Sequence, residues 1–118
     1  MRPFVAVLVV IAALAAAPVS SAKTVLKGSV GPDFVIKLKT ATGKPVKTLK
    51  AGKYTFVISD KSSIHMFHVI GPGVNKVITS LAFVGTKTVV LNLKAGKYIY
   101  QCDPHKSGGM KASFTVTR

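Results

Sequence analysis

The chain contains little of several features, and each shortage excludes a class of protein. It has one cysteine, so no disulfide can form within the chain, and the disulfide frameworks of many small exported domains are excluded. It has only three acidic residues against 17 lysines and arginines. Beyond the N-terminal region no segment has a helical hydrophobic period, which argues against a helical domain.

The one long apolar run lies at the N-terminus. Residues 4–17 are nearly all apolar, Arg2 precedes them, and the small residues Ser20, Ser21 and Ala22 follow. This order is typical of an export signal, and the run is shorter than the roughly 20 residues that a membrane-spanning helix needs. We therefore expect residues 1–22 to be a signal peptide cleaved after Ala22. Residues 23–118 would then be one periplasmic or secreted domain with no stable membrane insertion.

The positive charge of the chain has two interpretations. The formal net charge is +14, and the lysines are scattered singly along the sequence. Such a charge either keeps a uniformly solvated surface soluble or directs the protein toward an acidic partner. Nucleic acid is excluded as a partner, because no motif interleaves basic and aromatic residues and export separates the protein from cellular nucleic acid.

Short stretches of alternating apolar and polar residues predict β-strands. Glycine and proline turns separate these stretches, and many short strands at this spacing are typical of a sandwich or barrel. We therefore predict one all-β domain, a Greek-key sandwich or barrel, at residues 23–118. The clearest predicted strands are Phe34–Leu38, Tyr54–Ile58, Thr88–Leu93 and Ser113–Val116.

One hexapeptide occurs twice. Leu49–Tyr54 and Leu93–Tyr98 have the same sequence, Leu-Lys-Ala-Gly-Lys-Tyr. Two copies are too few for a solenoid, so the repeat predicts the same sandwich corner used twice. The tyrosine that ends each copy is predicted to anchor its corner through a hydroxyl hydrogen bond.

The single cysteine lies in a segment with two other metal donors. Cys102, His105 and Met110 offer a thiolate, an imidazole and a thioether within nine residues. This donor set suits copper, whereas a thioether is a poor ligand for zinc. A trigonal copper site needs a second histidine, which must be His65 or His68.

Side-chain alternation separates these two histidines. On the predicted strand from residue 64 to 69, His65 shares a face with the apolar Phe67, whereas His68 lies on the other face. His65 is therefore the predicted ligand, and an exchange of roles with His68 stays open. By the same alternation, Cys102 points toward the core together with Tyr98 and Tyr100.

The pattern Cys-x-x-His-x-x-x-x-Met, with Pro104 before the histidine and Gly108-Gly109 before the methionine, closely resembles the copper loop of plastocyanin-like cupredoxins. The resemblance implies a cupredoxin-like fold and a type 1 copper site, with one copper alternating between Cu(I) and Cu(II). It implies the metal ligands His65, Cys102, His105 and Met110. The chain differs from the family at Met66, where an asparagine commonly ties the two ligand loops together.

A second difference is Gln101, where photosynthetic plastocyanins carry a tyrosine. Those proteins also have acidic surface patches, whereas this chain has only three acidic residues. The photosynthetic role is therefore not implied. We expect a monomeric single-electron carrier between redox partner proteins, and an acidic or anionic partner surface is one of the two interpretations of its charge. The alternative is a protein for copper delivery, buffering or resistance. We expect Gly71–Gly73 and Gly108 to form a docking patch of low charge around His105.

An enzyme is not expected. Three histidines contain no His-x-His pair for a catalytic copper centre. A cysteine hydrolase would need a nucleophile that meets substrate, whereas Cys102 lies on a core-facing strand position.

Overall fold

The structure, a computed structural model, describes residues 24–118. The predicted signal peptide, residues 1–22, lies outside the described residues. Within them the chain forms nine strands and a short 3₁₀ helix. The strands are β1 (Val25–Val30), β2 (Ile36–Thr40), β3 (Thr48–Lys50), β4 (Gly52–Asp60), β5 (Phe67–Gly71), β6 (Val74–Thr79), β7 (Gly85–Leu93), β8 (Gly96–Gln101) and β9 (Lys111–Thr117), and the 3₁₀ helix is Asp103–Gly108.

The strands form two mixed sheets. One has the order β2-β1-β4-β7 and the other the order β3-β9-β8-β5-β6. The β1/β4 and β3/β9 pairs are parallel, and the remaining pairs are antiparallel. Neighbours in each sheet are often distant in sequence, so the chain crosses between the sheets, as a Greek-key sandwich requires. The predicted all-β fold is confirmed.

The core lies between the sheets and draws side chains from both. Alternate residues of β4, among them Phe56 and Ile58, are buried, as period-two alternation requires. Phe67 stacks on Tyr100 with ring centroids 5.5 Å apart, and Tyr98 stacks on Phe114 at 5.3 Å. Burying each of the two phenylalanine side chains contributes about 1.5–3 kcal/mol. The residues before Cys102 are therefore held in a packed aromatic layer.

Both repeated tyrosines anchor corners, as predicted. The Tyr54 hydroxyl donates a hydrogen bond of 2.7 Å to the carbonyl of Lys50. The Tyr98 hydroxyl donates to the carbonyl of Pro72 at 2.7 Å and accepts from the N–H of Lys94 at 3.0 Å. Each hydroxyl thus binds the residue four positions before it, where the turn of its hexapeptide begins.

Two predicted strand boundaries are wrong. The strand predicted at Phe34–Leu38 begins at Ile36, because the N–H of Gly31 donates to the carbonyl of Val35 and closes a turn over the residues between. The strand predicted to carry His65 begins at Phe67. His65 instead lies in the preceding turn, where its N–H donates to the carbonyl of Ser62 at 3.3 Å.

In residues 24–118 we find no helix with the length and apolar character needed to cross a membrane.

Candidate metal centre

Three predicted metal donors converge at one end of the sandwich. The Nδ1 atoms of His65 and His105 are 3.1 Å apart. The Sγ atom of Cys102 lies 3.3 Å from Nδ1 of His105 and 3.8 Å from Nδ1 of His65. One histidine comes from the turn between β4 and β5, and the other two donors follow β8. The fold thus brings His65 to donors that lie 37 and 40 positions further along the chain.

Backbone hydrogen bonds close the segment from Cys102 to Met110 on itself. The N–H of Cys102 donates to the carbonyl of Met110 at 3.0 Å, and the N–H of His105 donates to the carbonyl of Cys102 at 3.0 Å. The N–H of Met110 donates to the carbonyl of His105 at 3.3 Å. Gly109 has a φ of 102°, which glycine adopts without strain. These bonds fix the three donor residues relative to one another.

The turn between β1 and β2 closes over His65. Gly31 in this turn has a φ of 74°, and a Cβ atom added there would lie 2.9 Å from Cδ2 of the His65 ring. Only glycine therefore satisfies both the backbone conformation and the close approach. His65 is fully buried beneath this turn, and Cys102 and Met110 are also fully buried.

The donor set fits copper. A thiolate and two imidazoles within 3.1–3.8 Å of one another can share one ion, and a buried methionine sulfur follows on the same loop. Soft sulfur donors combined with imidazole are the ligands that copper prefers in electron-transfer sites. Among the described residues, His65, Cys102 and His105 are the one cluster of at least three such side chains suited to a metal.

Comparison with known protein families agrees with this chemistry. The family model of copper binding proteins of the plastocyanin/azurin family matches residues 17–117. The chain belongs to this family. Copper is accordingly the cofactor of this cupredoxin, and the protein is a copper-binding protein. A search of curated protein sequences found no match.

Solved structures of rusticyanin share the fold. Rusticyanin from Thiobacillus ferrooxidans is 22% identical, with a TM-score of 0.53 over 79% of this chain and 76% of that chain. Reduced rusticyanin is 23% identical, with a TM-score of 0.53 over 79% of this chain and 78% of that chain. At these identities the likeness establishes the cupredoxin fold.

An aromatic side chain that the sequence analysis placed in a strand lies against the metal site of this cupredoxin. The ring of Phe34 packs edge-on against His65 and His105, with ring centroids 5.1 and 4.9 Å apart. Phe34 is 60% exposed, and His105 is half-buried. The two side chains therefore form the outer surface of the site.

The predicted docking patch is wrong in one part. The Gly71–Gly73 turn contacts the start of β8, because the Tyr98 hydroxyl binds Pro72. Cys102 lies four residues beyond Tyr98, which is about 13 Å along an extended strand. The Gly71–Gly73 turn therefore lies near the opposite end of β8 from the metal site. The residue that lies beside His105 is Phe34.

His65 lacks a partner for its second ring nitrogen. Its Nε2 atom is buried and has no hydrogen-bond partner among the described residues. Metal-binding histidines almost always donate this N–H to a carboxylate, carbonyl or water, which makes the ligand more basic. The next residue, Met66, is also buried, so strict strand alternation fails at this point.

His68 lies outside the cluster and binds an acidic residue. Its Nδ1 atom lies 2.9 Å from Oδ1 and 3.1 Å from Oδ2 of Asp103, and its Nε2 atom contacts Oδ1 of Asn75. Gln101 donates from Nε2 to Oδ1 of Asp103 at 2.9 Å. Although burial acts to raise the pKa of Asp103, the hydrogen bonds from Gln101 and His68 and the charges of His68 and Lys106 lower it.

Sequence reasoning missed the role of Asp103. A signal was present, since Asp103 is one of only three acidic residues in a chain of net charge +14 and directly follows the single cysteine. The side chain of His68 is 13% exposed.

Proposed function

We propose that His65, Cys102, His105 and Met110 hold one copper ion and that the protein carries single electrons between redox partners. The observation that supports this most directly is the convergence of Nδ1 of His65, Sγ of Cys102 and Nδ1 of His105 within 3.8 Å. Copper bound by such donors accepts and releases one electron, alternating between cupric and cuprous forms.

The surroundings of the donors suit electron transfer. The closed hydrogen bonds of the Cys102–Met110 segment hold the donors in place whichever charge state the site has. Burial of His65, Cys102 and Met110 excludes water and substrates from the thiolate. Both features favour an electron carrier over an enzyme, because little must move and the thiolate is not accessible to a substrate.

Electrons would enter and leave through His105. It is the proposed ligand that is not fully buried, and the exposed ring of Phe34 lies beside it. We propose that a redox partner docks on this surface and that the positive charge of the chain attracts a partner with an acidic surface.

Export is part of the same proposal. An N-terminal signal peptide of residues 1–22 would deliver residues 23–118 as one domain to the periplasm or the exterior. An unpaired cysteine in that oxidising setting is consistent with a metal ligand, because bound metal keeps the thiolate from forming a disulfide with another chain.

The experiment adds cupric ion to the purified protein and records the visible spectrum through cycles of reduction and reoxidation. The wild type should show an intense thiolate-to-copper absorption band that disappears on reduction and returns on reoxidation without loss of metal. Cys102→Ser, which changes one buried atom, should fold but show no such band. A band that survives in Cys102→Ser would refute the thiolate assignment. Release of copper on each reduction would refute the carrier and support the delivery alternative.

A further inference from the structure

We propose that His68 is a positioning residue for the copper site, acting through Asp103 on the segment that carries Cys102. The inference rests on the ligand set proposed above. His68 is not itself one of the four proposed ligands. Its action is to fix the backbone on both sides of the cysteine.

The contacts of His68 connect three parts of the fold. Its side chain, 13% exposed, projects from β5 and bridges Asp103 at the start of the 3₁₀ helix and Asn75 on β6. To donate to the carboxylate of Asp103, Nδ1 of His68 must carry a proton. Both carboxylate oxygens lie within 3.1 Å of that nitrogen, so the contact constrains the orientation of Asp103 as well as its distance.

The network surrounds the cysteine along the chain. Gln101 and Asp103 are the two neighbours of Cys102, and they bind each other through Nε2 and Oδ1 at 2.9 Å. His68 lies opposite Gln101 in the pairing of β5 with β8. Side chains alternate along extended backbone, so the thiol of Cys102 points away from this network and toward His65. Fixing residues 101 and 103 therefore fixes the direction in which Sγ points.

The same contact ties together the two pieces of chain that supply ligands. His65 precedes β5, on which His68 lies, and Asp103 begins the helix that contains His105. At position 66 an asparagine would tie the two ligand loops together, but this chain has the apolar Met66, which donates no side-chain hydrogen bond. Within residues 24–118, His68 and Asp103 form the one pair of acidic and basic side chains within 4.0 Å. An acidic residue in a strongly basic chain has many lysines to pair with, and this one binds the histidine beside the ligand loop.

The test compares four substitutions in the copper-loaded protein. His68→Ala and Asp103→Ala each remove one side of the contact, and both together give a double variant. Groups that orient metal ligands change metal affinity by about 10–100-fold when removed, so each single variant should bind cupric ion that much more weakly in competition with a chelator. The thiolate-to-copper band should broaden in both. Because the two residues act as one unit, the double variant should be no weaker than the weaker single variant.

Two further variants separate positioning from general stability. Asn75→Ala removes the other partner of the same imidazole and leaves the contact with Asp103. Its copper affinity should therefore stay within twofold of wild type, and its thiolate-to-copper band should keep its width. His68→Gln keeps an N–H donor and should recover part of the affinity. In the copper-free protein, amide hydrogen exchange of residues 103–110 should accelerate in His68→Ala, while exchange in β1 and β4 stays unchanged.

Results that overturn the proposal are distinct from those that overturn the proposed function. Multiplication of the two single effects in the double variant would mean that His68 and Asp103 act separately. A lower melting temperature in His68→Ala with unchanged affinity and spectrum would reduce the contact to a structural one. Should His68→Ala fail to fold, Asp103→Ala removes the same contact from its other side and answers the same question. Failure of the wild type to bind copper reversibly would instead refute the electron-carrier proposal.

Discussion

The repeated hexapeptide supplies an internal control for the strength of a corner. Tyr98→Phe removes a hydroxyl that makes two hydrogen bonds, to the carbonyl of Pro72 and from the N–H of Lys94. Tyr54→Phe, at the same place in the other copy, removes one, to the carbonyl of Lys50. Both rings are buried, and the substitution leaves their apolar packing in place.

The expected costs follow from these counts. Each hydrogen bond contributes about 0.5–1.5 kcal/mol net, so Tyr54→Phe should lower the free energy of unfolding by that amount. Tyr98→Phe should lower it by about 1–3 kcal/mol on the same basis. The difference between the two variants should therefore be about 1 kcal/mol, with Tyr98→Phe the less stable.

Urea unfolding of the copper-free protein measures this difference. The dependence of the unfolding free energy on urea should be unchanged, because neither substitution alters the surface exposed on unfolding. The copper spectrum of both variants should match that of the wild type, since neither hydroxyl touches a proposed ligand. Equal costs in the two variants, or a larger cost for Tyr54→Phe, would refute the argument from hydrogen-bond counts.

Two further predictions concern the outer side of the metal site. Gly31→Ala and Gly43→Ala both place a side chain at positive φ, which costs about 1–2 kcal/mol. Only at Gly31 does the new Cβ also contact His65, whereas nothing lies within 4 Å at Gly43, so chelator competition should show weaker copper binding for Gly31→Ala alone. Phe34→Ala should lower the reduction potential measured by voltammetry, because water reaching the imidazoles stabilises the more highly charged cupric form. Val90→Ala, at a side chain equally exposed at 62%, should leave the potential unchanged, and an equal shift in both would contradict the role of Phe34.

Much of the site could be predicted because three of its four proposed ligands are close in sequence. The separation of Cys102, His105 and Met110 by two and four residues is a local pattern, and burial of Cys102 follows from alternation along β8. The choice of His65 over His68 agrees with the cluster in the structure. The reason for it, side-chain alternation along a strand, was incomplete. His65 precedes the strand, and its position depends on the turn at Ser62 and the glycine at position 31, which are not visible as a period.

The contacts that could not be predicted join segments distant in sequence. Phe34 fits an alternating pattern, yet a turn closed by Gly31 and Val35 directs its ring onto two histidines. The contact between His68 and Asp103 spans 35 residues and depends on the pairing of β5 with β8. Short strands such as β3 were missed because three residues carry too little alternation.

The segment from Cys102 to Met110 joins two adjacent strands, β8 and β9, and this position affects how such a site evolves. Gln101 and Lys111 pair directly across β8 and β9, so the ends of the segment between them are held at the spacing of adjacent strands. The pairing of Gln101 with Lys111 belongs to the sheet and not to the segment that joins these two residues. Changes among its exposed residues, 104 and 106–109, can alter how three of the four proposed ligands are placed while the strand pairings on either side stay the same. Metal chemistry can therefore vary through this exposed stretch without redesign of the sheets.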